Sequence, residues 1–99
     1  IKKMEDKINM IAAASRVLSY DKQYPASIPE EILQDASNFI HYSKADENTK
    51  LLMVAAASRA LNILRKNPRL NHRQVLSEVM QELDSIIEES NREDKEMIN

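Results

Sequence analysis

The 99-residue chain contains no glycine, no cysteine and no tryptophan, and only three prolines. Without glycine there can be no phosphate-cradling loop of the P-loop or dinucleotide type, because both need a backbone free of Cβ atoms at close approach. The usual β-hairpin turns and left-handed helix caps are lost as well, which favours helices joined by short polar loops. Without cysteine there is no disulfide, no thiolate zinc site and no thiol nucleophile. Formal net charge is only −2, so no general attraction to nucleic acid or to an anionic membrane is expected. No apolar run approaches the length of a bilayer span, so no membrane association is expected. A hydrophobic share of 42% is nevertheless ample for a folded core. Residue 1 is Ile, so residues ahead of it are expected; no secretory signal is evident, and the expected location is cytoplasmic.

What the chain does have is an internal echo. Ile11-Ala12-Ala13-Ala14-Ser15-Arg16-Val17-Leu18 returns 43 residues later as Val54-Ala55-Ala56-Ala57-Ser58-Arg59-Ala60-Leu61, with six of the eight positions identical. The same offset matches Pro25 with Pro68, Ile32 with Val75, Leu33 with Leu76, Asp35 with Glu78 and Ile40 with Leu83. Such a period reads as one supersecondary unit used twice.

Periodicity and capping residues predict four helices. The first spans roughly residues 4–20, its apolar positions being Met4, Ile8, Ile11, Ser15 and Leu18, with Ala12 and Ala14 beside them. The second opens at Ser27-Ile28-Pro29-Glu30, read as a capping box with Pro29 in the first turn, and runs to about Tyr42 with Ile32, Leu33, Ala36, Phe39 and Ile40 inward. Asp46 is the expected N-cap of the third, which carries Leu52, Ala55, Ala56, Arg59, Ala60, Ile63 and Leu64 and stops before Pro68. Asn71 with Gln74 should cap the fourth, whose wide apolar face is Val75, Leu76, Val79, Met80, Leu83, Ile86 and Ile87. Short links favour an all-α, antiparallel up-and-down four-helix bundle built from two similar hairpins. A HEAT or armadillo stack fits the period less well, since two units would leave open faces. The domain is expected over residues 1–90, with 91–99 a charged tail or frayed helix end. Small residues in the two alanine triplets would let the first and third helices approach closely.

No catalytic, cofactor or metal site emerges. His41 and His72 lack the Glu-x-x-His context of carboxylate-bundle metal sites, and no serine has an evident base. Arg16 and Arg59 are equivalent in the repeat, as are Asp35 and Glu78, so each arginine is expected to pair with one of these acids across helices. Up-and-down topology also brings two loops to one end of the bundle, gathering Tyr20 and Tyr24 from one hairpin with Arg65, Lys66, Arg69 and Arg73 from the other. Such a surface could stack a base and neutralise phosphates. Acidic residues from Glu82 to Glu96 read as a solvated face, or as a docking strip for a basic partner, a second copy included.

The run Ile28-Pro29-Glu30-Glu31-Ile32-Leu33-Gln34-Asp35-Ala36 resembles the Val-Pro-x-x-Ile-x-x-x-Ala that opens the second helix of uncharacterised protein family 0147, small archaeal proteins. Asn67-Pro68-Arg69-Leu70-Asn71-His72-Arg73 is similar to that family's Asp-Pro and His-x-Arg before its last helix. Leu33 and Gln34 stand where the family often has arginines, His72 and Arg73 are adjacent where it has a spacer, and its late tryptophan is absent. The resemblance, over about residues 14–88, implies a four-helix bundle from an archaeal cytoplasm and carries over no catalytic residue, because the family has no established function. The reading is thus a non-enzymatic helical interaction or scaffold module, acting on an unknown protein or on itself as a homodimer. The alternative is an RNA- or phosphate-binding accessory protein that uses the basic and aromatic end.

Overall fold

The structure is a computed structural model that describes the backbone of residues 1–98 and the side chains of residues 1–92. Four helices follow one another: α1 (Lys2–Gln23), α2 (Pro29–His41), α3 (Glu47–Lys66) and α4 (His72–Ile98). None of them is long and apolar enough to cross a membrane. Helix α4 continues through most of the segment expected to be a tail or frayed end; the side-chain state of residues 93–99 lies outside the described residues.

The chain turns without any positive φ among the described residues. Instead, α1 and α3 end alike: Tyr24 at φ −128°, ψ 74° and Asn67 at φ −129°, ψ 71° stand before Pro25 and Pro68. Proline forces its predecessor out of the helical region, so it does here what a glycine cap does elsewhere. Asp46 caps α3 by accepting from the Thr49 amide at 2.8 Å, and Asn71 and Gln74 bond reciprocally at the start of α4. The expected Ser27–Glu30 box does not form. Ile28 is the N-cap of α2, and the Ser27 hydroxyl donates back to the Tyr24 carbonyl at 2.6 Å, because it lies one residue too early to reach the helix amides.

Helices α1 and α3 run parallel and share the most extensive contact, while α2 and α4 each bridge the two and, among the described residues, their backbones do not approach each other closely. The cross-section is therefore a rhombus whose short diagonal is α1–α3. Alanine explains it: Ala13, Ala14, Ala56, Ala57 and Ala60 are all buried, and methyl side chains let the two axes close up. Burial recurs at the 43-residue offset, with Met10 and Met53, Leu18 and Leu61, Ile32 and Val75, and Ile40 and Leu83 all in the core. On α1 the inward face is not the one the periodicity picked. Met4 and Ile8 are exposed, Ile11 and Ser15 half-buried, and the buried set is Asp6, Met10, Ala13, Ala14, Val17 and Leu18. Both faces of α1 are apolar, and the inward one combines Met10, Val17 and Leu18 with Ala13 and Ala14, whose small side chains permit the close α1–α3 contact. Leu33, Ala55 and Arg59 are likewise exposed rather than inward.

A polar chain joins the starts of the parallel helices. Lys2 Nζ donates to Asp46 and to the Thr49 hydroxyl, each at 2.7 Å, and that hydroxyl donates to buried Asp6 at 2.7 Å. The Lys2 ammonium and the Thr49 amide hold the Asp46 carboxyl at about 2, below its ordinary 3.8. Because the folded value is the lower one, protonation favours the unfolded chain. The Asp46 contribution is complete above about pH 4 and fades as pH falls through 4 towards 2. Urea midpoints measured from pH 5 to pH 2 should fall less steeply in Asp46→Asn than in the parent chain; parallel curves would exclude this.

Candidate functional site

Arg16 reaches across to α2 and grips Asp35 with Nε at 2.8 Å and a terminal nitrogen at 3.0 Å, its guanidinium lying 5.5 Å from the Phe39 ring centre. Asp35 raises the Arg16 pKa further above its usual value, chiefly through the hydrogen bond. Arg59 does not take the expected Glu78. It binds Glu82 at 2.8 Å, one turn further along α4. Position 82 is the repeat equivalent of Phe39, so a carboxylate stands in the second hairpin where the first offers a ring. Both arginines are half-exposed, and such pairs contribute at most about 1 kcal/mol.

The two loops do share an end of the bundle, tied there by a 2.9 Å contact between His72 Nε2 and Asp21. Arg65, Lys66, Arg69 and Arg73 are exposed, and among the described residues none of them has a carboxylate partner, nor has Lys22. In the body of the bundle, by contrast, Lys2, Lys3, Lys7, Arg16 and Arg59 all bind acids. Arg65 and Lys66 complement the C-terminus of α3; Arg73, in the first turn of α4, opposes the helix dipole.

Tyr20 stands among acidic side chains instead. Tyr20 and Tyr24 lean on each other, ring centres 4.8 Å apart, and Tyr20 lines a shallow cavity of about 410 Å³ with Glu30, Glu31, Gln34, Asp35 and Asn38. Their surroundings on the α1–α2 side are acidic. The expected single aromatic-and-basic site is thus two surfaces of opposite charge.

A third surface was hidden by reading Met4, Ile8 and Met80 as core. Lys3 and Lys7 both reach Asp84, at 3.1 and 2.9 Å, which sets α4 beside the first half of α1. These two lysines hold the Asp84 carboxyl below its usual value, Lys7 contributing more. Met4 and Ile8, one turn apart on α1, each follow one of these lysines in the chain, and Met80 lies one turn before Asp84 on α4; the three are 68, 61 and 50% exposed. On α4 itself the core takes Val75, Val79, Leu83 and Ile87, so Met80 is the one large residue of its stripe left out. A signal was available beyond the local pattern: the 43-residue echo matches Met10 with Met53 and Ala13 with Ala56, and all four are buried.

Among the described residues no three histidine, aspartate or glutamate side chains gather to hold a metal ion. No family model matches the chain, and neither a curated protein nor a solved structure proves similar to it.

Proposed function

We infer that the protein is a non-enzymatic helical interaction module of the cytoplasm, docking onto a protein partner or a second copy through the α1–α4 face. The observation that carries this reading is the exposure of Met4, Ile8 and Met80, bulky apolar side chains that serve no core and stand next in the chain to, or one helical turn from, the residues that pair α1 with α4. Single exposed apolar residues need no explanation; three so placed do. Ile8→Glu places a charge in the middle of the face without touching the core, so the fold should survive. In sedimentation of the purified chain, and in affinity capture from native lysate, this variant should lose the dimer or the stoichiometric, nuclease-resistant partner that the parent retains. Assembly unchanged by Ile8→Glu would end the reading.

A second reading, contact with RNA or another phosphate polymer, draws on the five unpaired cations at the loop end. It no longer draws on the tyrosines. Its mark is a partner lost on nuclease treatment, and an affinity that falls steeply with salt. Membership of family 0147 remains a proposal resting on the turn and cap motifs of α2 and α4.

A further inference from the structure

The sequence holds three tyrosines and one phenylalanine, and all four lie along the groove between α1 and α2. The Tyr20 cavity is continued by a second of about 370 Å³, lined by Arg16, Phe39, Tyr42 and Ser43; Asp35 and Asn38 belong to both. Tyr24 stacks on Tyr20 at one end, and Tyr42, 82% exposed, stands at the other. The Tyr42 ring thus offers apolar contact area at that end, with a hydroxyl that can stay in water.

We propose that this α1–α2 groove binds an extended peptide segment of another protein, a lysine or arginine of that segment seated at its Tyr20 end. Shape argues for a peptide, since both cavities are open and shallow whereas small-molecule sites enclose their ligands. From Glu30 to Tyr42 the groove follows α2 for about 18 Å, at ~1.5 Å per helical residue. An extended chain covers that in about five or six residues.

Charge sets the direction. Glu30 and Glu31 have no cationic partner among the described residues and line the same cavity as Tyr20, so a cation seated there meets carboxylates and an aromatic ring together. At the far end Arg16, neutralised by Asp35, already lies against Phe39, so that end suits proline or another apolar residue. Between the ends, Gln34 Nε2 donates to Asn38 Oδ1 at 3.1 Å. The Gln34 carbonyl oxygen and the Asn38 amide hydrogens remain free to meet a peptide backbone. The groove lies on a different face of α1 from Met4 and Ile8, so it stands or falls separately from the apolar docking face.

The test is an NMR titration of the full chain with a peptide of about six residues alternating arginine and proline, against its glutamate–proline counterpart. Saturable shifts confined to α2 and the facing side of α1 are expected with the arginine peptide alone. Glu30→Gln with Glu31→Gln should raise Kd by about tenfold or more, a fold-change equivalent to about 1.4 kcal/mol. Glu88→Gln with Glu89→Gln, the same change of net charge outside the groove, should leave Kd unaltered. Tyr42→Ser, at an exposed position, should also weaken binding while leaving the melting curve in place. The proposal is overturned by an absence of saturable binding, by equal weakening from the two glutamate pairs, or by equal affinity for the glutamate peptide.

Discussion

Ala56→Leu is expected to destabilise the fold by about 1–3 kcal/mol, and Ala13→Leu by a similar amount. Both alanines are fully buried where α1 and α3 come closest, and neither helix can retreat. Moving α3 outward to make room for an isobutyl group would pull it from α2 and α4 together, because each of those helices bridges the central pair. Ala55→Leu adds the same atoms one residue earlier, on the exposed side of α3, and should stay within about ±0.5 kcal/mol. Urea denaturation of the three variants checks the contrast. For a domain of this size each kcal/mol also moves Tm by about 4–8 °C. Equal costs for Ala55→Leu and Ala56→Leu would mean that alanine burial is not what fixes the short diagonal.

The four helices were legible because proline, capping residues and apolar spacing agree at nearly every boundary. Pro25 and Pro68 stop their helices, and Asp46 and Asn71 begin theirs, through chemistry confined to a few adjacent residues. Which face of α1 turns inward was not legible by the same means. Met4, Ile8 and Ile11 are as hydrophobic as Met10, Val17 and Leu18, yet the second set goes inward because it shares a face with Ala13 and Ala14, whose small side chains let α3 approach. That choice depends on α3, 43 residues away, and no local pattern expresses it. The same error concealed the α1–α4 face, since residues assigned to the core are not sought on the surface.

The loop end shows a related limit. Topology rightly brings the two loops together, but a shared end of a molecule 26 × 25 Å across is still a curved surface with several sides. Tyr20 leaves α1 on the side of α2, where Glu30 and Glu31 open the next helix, as acidic residues favour an N-terminus. The cations belong to the close of α3, the second loop and the opening of α4. Helix-end electrostatics thus sorts the charges by which helix begins and which one ends, and the aromatic pair falls on the acidic side. That sorting is the physical basis for expecting a cation, rather than a phosphate, against Tyr20.

Thr49→Val should cost about 1–3 kcal/mol, although it removes a single hydroxyl and keeps the side chain's shape. The Thr49 hydroxyl donates to the Asp6 carboxylate, and Asp6, on a residue only 7% exposed, has little water to replace it. Lys2, at 3.2 Å, is its other partner, and Lys2 is itself shared with Asp46. Asp6 and Thr49 occupy equivalent positions 43 residues apart, at the same level of two parallel helices. An interface of methyl groups is smooth and discriminates poorly between registers, so a directional bond between equivalent positions is what can fix how far α1 slides along α3. The double variant Asp6→Leu with Thr49→Val removes donor and acceptor together and should recover most of the stability lost by Thr49→Val alone, because no buried carboxylate is left short of a partner. A cycle measured by urea denaturation reads the coupling directly. Costs that simply add would show that Asp6 is satisfied by Lys2 alone, and that the alanines themselves hold the register.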